Sequence, residues 1–415
     1  MSAGPILDGV FEKFLGKSKI FTNRDVLRHD YVPDNLPHRD RQIQRLAAIV
    51  APALNGSKIS NAFLYGKTGT GKTAVAKYVL GHLQMKAAQL GKRIRIAYVN
   101  CRFAGTNYRV LADLSRAIGI EVPFTGLAAA EVLDRFRSSL SSGGIQLVVV
   151  LDEIDALVKR QHDDTLLYEL TRVNEFLSGS WVALIGISND LHFKESLDPR
   201  ILSCLSEEEL VFRPYMADEL YDILLCRAKT SFVDTVLPES SIRLCAALAA
   251  GEHGDARRAL DLLRVAGELA ERDSSSEVTE ACVRSAQEKI EDDRVNEALR
   301  SLPVHSRLIV AAAYVINNHG HEAAVTGDVY HVYSDFCVQT KLEALTQRRI
   351  SGLINELDAM GILNTRVVSF GRYGRTKKIR LGIPRETVVQ TFIEDSLMAP
   401  LLSHAPTYLR KGPST

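Results

Sequence analysis

Gly66-Lys67-Thr68-Gly69-Thr70-Gly71-Lys72-Thr73 combines spaced glycines with a lysine and a hydroxyl, the composition of a loop that holds phosphate. Glycines let backbone N–H groups close on phosphate oxygens, and a helix N-terminus directly behind them adds a favourable dipole. Gly66, Gly69, Thr70, Gly71, Lys72, Thr73 and the following Ala74 are the expected contacts. Lys72 would neutralise β- and γ-phosphate charge, and the Thr73 hydroxyl would ligate Mg²⁺. A second constellation lies 80 residues beyond Lys72, where the apolar run Val148-Val149-Val150-Leu151 ends in Asp152 and Glu153. Asp152 can hold the Mg²⁺ shell with Thr73, and Glu153 can polarise a water for attack on a γ-phosphate. ATP or ADP with Mg²⁺ is the implied cofactor, and slow ATP hydrolysis the implied chemistry.

Two further residues extend this site. Asn189, at the end of the next apolar run, is placed to orient the attacking water; an asparagine turn after a strand is the alternative. Arg257 opens a helix after Gly254-Asp255-Ala256 and can reach a γ-phosphate, or lie on an exposed helix face.

Positioning these groups requires a strand before the loop and a helix after it. Residues 61–65 read as the strand, and Thr73 to Leu83 as the helix. Further strands are expected at 94–99, 145–151, 181–187 and 208–212, alternating with helical stretches, which implies a parallel sheet covered by helices. From about 216 to 300 only helical periodicity continues. Pro303 marks a boundary, and beyond it helices are followed by a hairpin with arms Ile362–Phe370 and Thr376–Leu381. The expected domains are 1–214, 215–302 and 303–395, with a loose tail at 396–415.

The chain has 415 residues, 46% hydrophobic and 24% charged, with a net charge of +1, so any basic surface must be local. Six scattered cysteines form no C-x-x-C pair, which fits a reducing interior and indicates neither zinc ribbon nor redox motif. No apolar run is long enough to span a membrane, so a cytoplasmic location is expected. His319-Gly320-His321 lacks Cys or acid partners at ligand spacing and reads as a surface loop.

Charge is concentrated between 341 and 381, where nine Lys/Arg face three acids, giving +6. Within it, Ile350, Leu353, Ile354 and Leu357 share one helical face, while Thr346, Gln347, Arg348 and Ser351 fall near the exposed N-terminal end. A hairpin with tip Gly371-Arg372-Tyr373-Gly374-Arg375 follows. Helix, helix and basic hairpin read as a winged helix. Its recognition helix would enter a DNA major groove, and Arg372, Tyr373 and Arg375 would serve the wing. Arg349 can contact DNA or pack its stem on the wing.

The phosphate loop, Asp-Glu strand, Asn189 and Arg257 resemble the AAA+ ATPases in order and spacing over about 20–265. Other phrases are more specific: Phe21-Thr22-Asn23-Arg24-Asp25-Val26-Leu27, His29-Asp30-Tyr31-Val32-Pro33, Leu36-Pro37-His38-Arg39, Leu197-Asp198-Pro199-Arg200, Phe212-Arg213-Pro214-Tyr215 and Asp255-Ala256-Arg257-Arg258-Ala259-Leu260-Asp261. Together they resemble the archaeal replication initiators of the origin-recognition-complex and Cdc-six type over roughly 15–385. The resemblance implies an α/β AAA+ P-loop domain with a five-stranded parallel sheet, a helical lid and a C-terminal winged-helix domain. It implies that the segment holding Val32 and Arg39 lies near adenine, and that Tyr215 and Arg227 line the nucleotide; packing between domains is the alternative for Tyr215. It implies a DNA-touching insertion at Phe103 to Leu127, with Arg102, Tyr108, Arg109 and Arg116 as contacts or as parts of an amphipathic crossover helix. Implied partners are double-stranded origin DNA, the replicative helicase and other initiator copies or paralogues, on the nucleoid. One departure stands out. Eukaryotic relatives end an Arg-x-x-Ser-Arg phrase in an arginine finger, and here Cys204 follows Arg200-Ile201-Leu202-Ser203. A DNA-binding transcription regulator with an ATP-dependent switch is a second reading of the same residues.

Overall fold

The computed structural model describes residues 18–29, 31–123, 126–161, 164–205, 207–319, 323–369 and 375–403. The chain divides into two compact units after Ala286.

The first unit is built on five parallel strands, β1 (Ala62–Gly66), β2 (Ile94–Asn100), β3 (Gln146–Asp152), β4 (Trp181–Ser188) and β5 (Glu208–Phe212), in the order β2-β3-β4-β1-β5. Each lies within a residue or two of its expected place. Both faces are covered, which is why the strands read as continuous apolar runs. Alternation sorts them: Leu147, Val149 and Leu151 join one core with Phe136 and Leu166. Val148 and Val150 join the other with Leu46, Val75 and Val79. The covering helices are α1 (Asp40–Val50), α2 (Lys72–Gln89), α3 (Cys101–Ala104), α4 (Asn107–Ala117), α5 (Ala129–Gly143), α6 (Ile154–Gln161), α7 (Thr165–Arg172) and α8 (Pro199–Leu205). Helix α2 runs six residues past its expected end, carried by buried Leu83 and Ala87.

Helices α9 (Ala217–Ser231), α10 (Glu239–Glu252) and α11 (Ala256–Arg272) form the lid. The segment around Phe21 docks on it. Phe21 bridges Phe232 with ring centroids 4.9 Å apart, and Glu271 accepts hydrogen bonds from Ser18 and Arg24. Gly267 makes room, since a Cβ there would stand 2.5 Å from the Phe21 ring.

Helix α12 (Glu280–Ser301) carries the chain through the unit boundary, so the division falls inside a continuous helix. The second unit contains α13 (Val304–Asn318), α14 (Thr326–Thr340), α15 (Gln347–Ala359), α16 (Arg385–Ile393) and α17 (Ala399–Leu402). Its sheet adds a two-residue strand β6 (Ala324–Val325) to the hairpin β7 (Leu363–Ser369) and β8 (Arg375–Leu381), ordered β6-β8-β7. The expectation of a loose tail from 396 is corrected for its first part. Met398 and Leu401 are buried in this unit's core because the turn after α16 directs them inward.

Candidate functional site

The loop after β1 depends on close approach. A Cβ on Gly66 would lie 2.2 Å from the Phe212 carbonyl oxygen. Gly69 has φ +70°, and a Cβ there would lie 1.7 Å from the Asp255 carboxylate. Asp255 caps α11, accepting hydrogen bonds from the Arg257 and Arg258 amides at 2.7 and 3.3 Å, and the Ala256 amide donates to the Gly69 carbonyl at 3.1 Å. The N-terminus of the lid helix therefore rests on the loop. Lys72 is buried, its ammonium donating to the Gly66 and Lys67 carbonyls at 2.9 and 2.7 Å. Burial lowers its pKa to about 8, against the opposing pull of Asp152.

The sheet order sets the rest. Strand β4 lies between β1 and β3, so Asn189 emerges between the loop and the two acids. Asp152 receives the Thr73 hydroxyl on Oδ2 at 2.9 Å and the Glu153 amide on Oδ1 at 2.9 Å. A hydroxyl and a carboxylate in contact form the hard-oxygen donor set that suits Mg²⁺. Glu153 sits at φ +53°, a left-handed conformation that non-glycine residues seldom adopt.

Two residues on β2 escaped the sequence reading. Asn100 is in register with Asp152. The Asn100 amide donates to Glu153 Oε1 at 3.3 Å, and Arg102 Nη1 lies 3.6 Å from Oε2. Tyr98 donates from its hydroxyl to Asp152 Oδ2. The available signal was the polar pair Tyr98-Val99-Asn100 at the end of a strand that neighbours the acids.

A cleft of about 540 Å³ brings together Gly69, Thr70, Gly71, Lys72, Thr73, Ala74, Asp152, Glu153, Asn189, Tyr215, Arg227, Arg257 and Val32. Gly66 and Arg39 do not line it. Arg39 is 1% exposed and donates to the carbonyls of Thr70, Arg213 and His38 at 2.9, 2.8 and 3.1 Å. Its guanidinium lies 3.7 Å from the Tyr215 ring centroid. Arg39 thus braces the loop against the start of the lid instead of reaching adenine, and burial pulls its pKa down. Tyr215 gives one ring face to Arg39, and its hydroxyl stands 2.7 Å from where a Gly71 Cβ would be. The Arg227 fork is held by the carbonyls of Val26 and Tyr31 at 3.2 and 3.3 Å, with the Tyr31 ring 4.7 Å away. Arg200 pairs with Asp198 at 3.1 Å and is exposed, while the Cys204 carbonyl accepts from Asn61 at 2.8 Å.

In the insertion, the Tyr108 hydroxyl donates to the Pro123 carbonyl at 2.6 Å and its ring packs on the core, the structural alternative. Arg109 is exposed beside Phe103, itself 85% exposed, and Arg116 pairs with Asp113 at 2.8 Å.

In the second unit, the Thr346 hydroxyl caps α15 by accepting from the Arg349 amide at 3.4 Å. Ile350, Leu353, Ile354 and Leu357 anchor the helix in the core, leaving Gln347, Arg348 and Arg349 exposed and Ser351 half-buried. The Tyr333 hydroxyl accepts from the Leu345 amide at 3.0 Å and bonds His305 at 2.8 Å, steadying the turn into α15. Gln347, Arg348, Ser351, Asn355, Val367 and Lys377 line one groove, with Lys377 bonded to Asn355. Lys377 and Asn355 were not expected there; the pairing of β7 with β8 brings them in. Arg372 and Tyr373 lie outside the described residues, and Arg375 begins β8. His319 Nδ1 donates to the Val315 carbonyl at 2.8 Å, and among the described residues no group of three or more His, Cys, Asp or Glu side chains could hold a metal. Among them, too, no helix is long and apolar enough to cross a membrane.

Comparison with known proteins agrees with this architecture. Family models match an AAA domain at residues 58–193, a Cdc6 AAA+ ATPase-type lid domain at 221–288 and a CDC6 C-terminal winged helix domain at 297–391. The ORC1-type DNA replication protein of Thermococcus onnurineus is 50% identical over 401 residues, covering 96% of each chain. This chain belongs to the ORC1-type DNA replication proteins. Another family member, from Pyrococcus horikoshii, is 51% identical over 401 residues, again covering 96% of each chain. The Aeropyrum pernix ORC1 protein, solved in complex with DNA, is 49% identical with a TM-score of 0.82, covering 93% of this chain and 100% of that one.

Proposed function

We propose that this protein is a replication initiator that binds duplex origin DNA through its winged helix and insertion, uses bound ATP or ADP as a switch, and helps recruit or load the replicative helicase. The observation that carries the switch is the lid resting on the loop, with Asp255 against Gly69 and Arg257 in the same cleft as Lys72, Asp152 and Glu153. A change at the phosphate end of the cleft must be felt by the lid.

Each residue has a definite task. Lys72 leaves its carbonyl partners to meet phosphate charge. Thr73 and Asp152 would hold Mg²⁺, which supplies charge neutralisation on the phosphates when bound. Glu153 takes the proton of the attacking water, Asn189 orients that water, and Arg257 meets the γ-phosphate from the lid. Glu153 is restrained by Asn100 and Arg102, and Cys204 stands where eukaryotic relatives place a finger, so hydrolysis is slow and resets a state. The protein then works in the cytoplasm on the nucleoid, alone or beside other initiator copies.

DNA binding is supported by exposed Gln347 and Arg348 beside Lys377 and by the relative solved with DNA. The test is footprinting on genomic fragments with ATP and with ADP, in wild type and Lys72→Ala. A footprint that changes with nucleotide in wild type and not in the variant supports the switch; identical footprints in all four conditions refute it.

A further inference from the structure

We propose that Tyr98 is a positioning residue for the divalent-cation site: its hydroxyl sets the orientation of the Asp152 carboxylate that shares the cation with Thr73. This rests on reading the cleft as a site for Mg²⁺-nucleotide.

Strand alternation puts Tyr98 on this face. In the β2–β3 register, Tyr98 faces Val150 and Asn100 faces Asp152. Side chains two apart on a strand share a face, and in-register neighbours share it too. Tyr98, Asn100, Val150 and Asp152 thus project toward α2, the helix whose first residues are Lys72 and Thr73. Lys77, one turn further along α2, places its ammonium 4.9 Å from the Tyr98 ring centroid, which holds the ring beside the carboxylate.

Asp152 Oδ2 accepts from both the Thr73 and Tyr98 hydroxyls, while Oδ1 accepts from the Glu153 amide. With Oδ1 tied to the backbone and Oδ2 tied from two sides, the carboxylate plane cannot rotate. Without the phenol, only Thr73 would steady Oδ2, and Thr73 must itself turn its oxygen to the cation. A phenol keeps its proton at neutral pH, and a carboxylate oxygen can only accept, so the hydroxyl is the donor. It is the kind of outer partner whose loss weakens metal binding at unchanged ligands.

The experiment uses the full-length protein and Tyr98→Phe, which keeps the ring and its packing and removes one oxygen. Affinity for a non-hydrolysable ATP analogue is measured by calorimetry in EDTA and across a MgCl₂ titration, with the nucleotide-free melting temperature as the folding control. The expected result is unchanged affinity in EDTA, an unchanged melting temperature, and about a tenfold rise in the MgCl₂ concentration that gives half of the Mg²⁺-dependent gain. An unchanged Mg²⁺ requirement in the variant, beside a clear one in wild type, overturns the role of Tyr98 and leaves the cleft assignment standing. Affinity lost equally in EDTA also overturns it, because the hydroxyl then supports the loop and not the cation. A wild type indifferent to Mg²⁺ overturns both the proposal and the reading on which it rests.

Discussion

Lys72 gives the nucleotide site a pH signature. The residue is 4% exposed and its pKa is lowered to about 8 by burial. Nucleotide phosphate beside it, the β-phosphate of ADP included, would restore the charged form, so the bound pKa should return to the ordinary lysine range near 10.4. The sign follows from linkage: nucleotide binds best to the protonated lysine, and the free protein loses that proton as pH rises through about 8. Affinity should therefore be nearly flat below pH 7.5 and fall about tenfold by pH 9, roughly 1.4 kcal/mol. Near pH 8 binding should take up about half a proton. The nucleotide-free protein should respond in the opposite sense. Between about 8 and 10.5 the unfolded lysine still holds the proton that the folded one has lost, so Lys72 makes stability rise with pH in that window. The assay is calorimetry of ADP binding from pH 7 to 9.5 in two buffers of different ionisation enthalpy. Equal affinity at pH 7 and pH 9, with no buffer-dependent heat, would refute the reasoning about Lys72.

Three other outcomes test other links. Glu153→Gln should retain nucleotide affinity and lower phosphate release by at least about 100-fold, the scale of a lost general base, measured by single-turnover hydrolysis. Gly69→Ala places a methyl 1.7 Å from the Asp255 carboxylate at a positive φ, so it should push the lid helix off the loop and increase hydrogen exchange at the first turn of α11. Arg348→Ala and Lys377→Ala should weaken duplex DNA binding. If each contacts one phosphate, each should flatten the slope of log K against log salt by about 0.9.

The parts of the site legible in the sequence were those specified by neighbours along the chain. Gly66, Gly69 and Gly71 announced a loop that no side chain could enter, and Asp152 and Glu153 announced a strand end. What stayed hidden depends on pairing between distant segments. Tyr98 and Asn100 reach the acids only through the β2–β3 register. Arg39 turned from a nucleotide contact into a brace because two distant carbonyls, of Thr70 and Arg213, converge on it beside that of its neighbour His38. Strand β6 has two residues, too few to show a period. Met398 and Leu401 looked like a loose tail because the short run Leu397-Met398-Ala399-Pro400-Leu401-Leu402, with a proline inside it, shows neither period, yet both are buried. The Phe21 phrase gave no hint that it packs on the lid through Phe232.

The most direct measurement is occupancy of the tagged protein on DNA in growing cells, mapped beside the positions where replication starts. An initiator should be concentrated at those starts, and its Lys72→Ala variant should lose or redistribute that signal. Occupancy confined to promoters, with none at replication starts, would contradict the assignment and favour an ATP-switched transcription regulator.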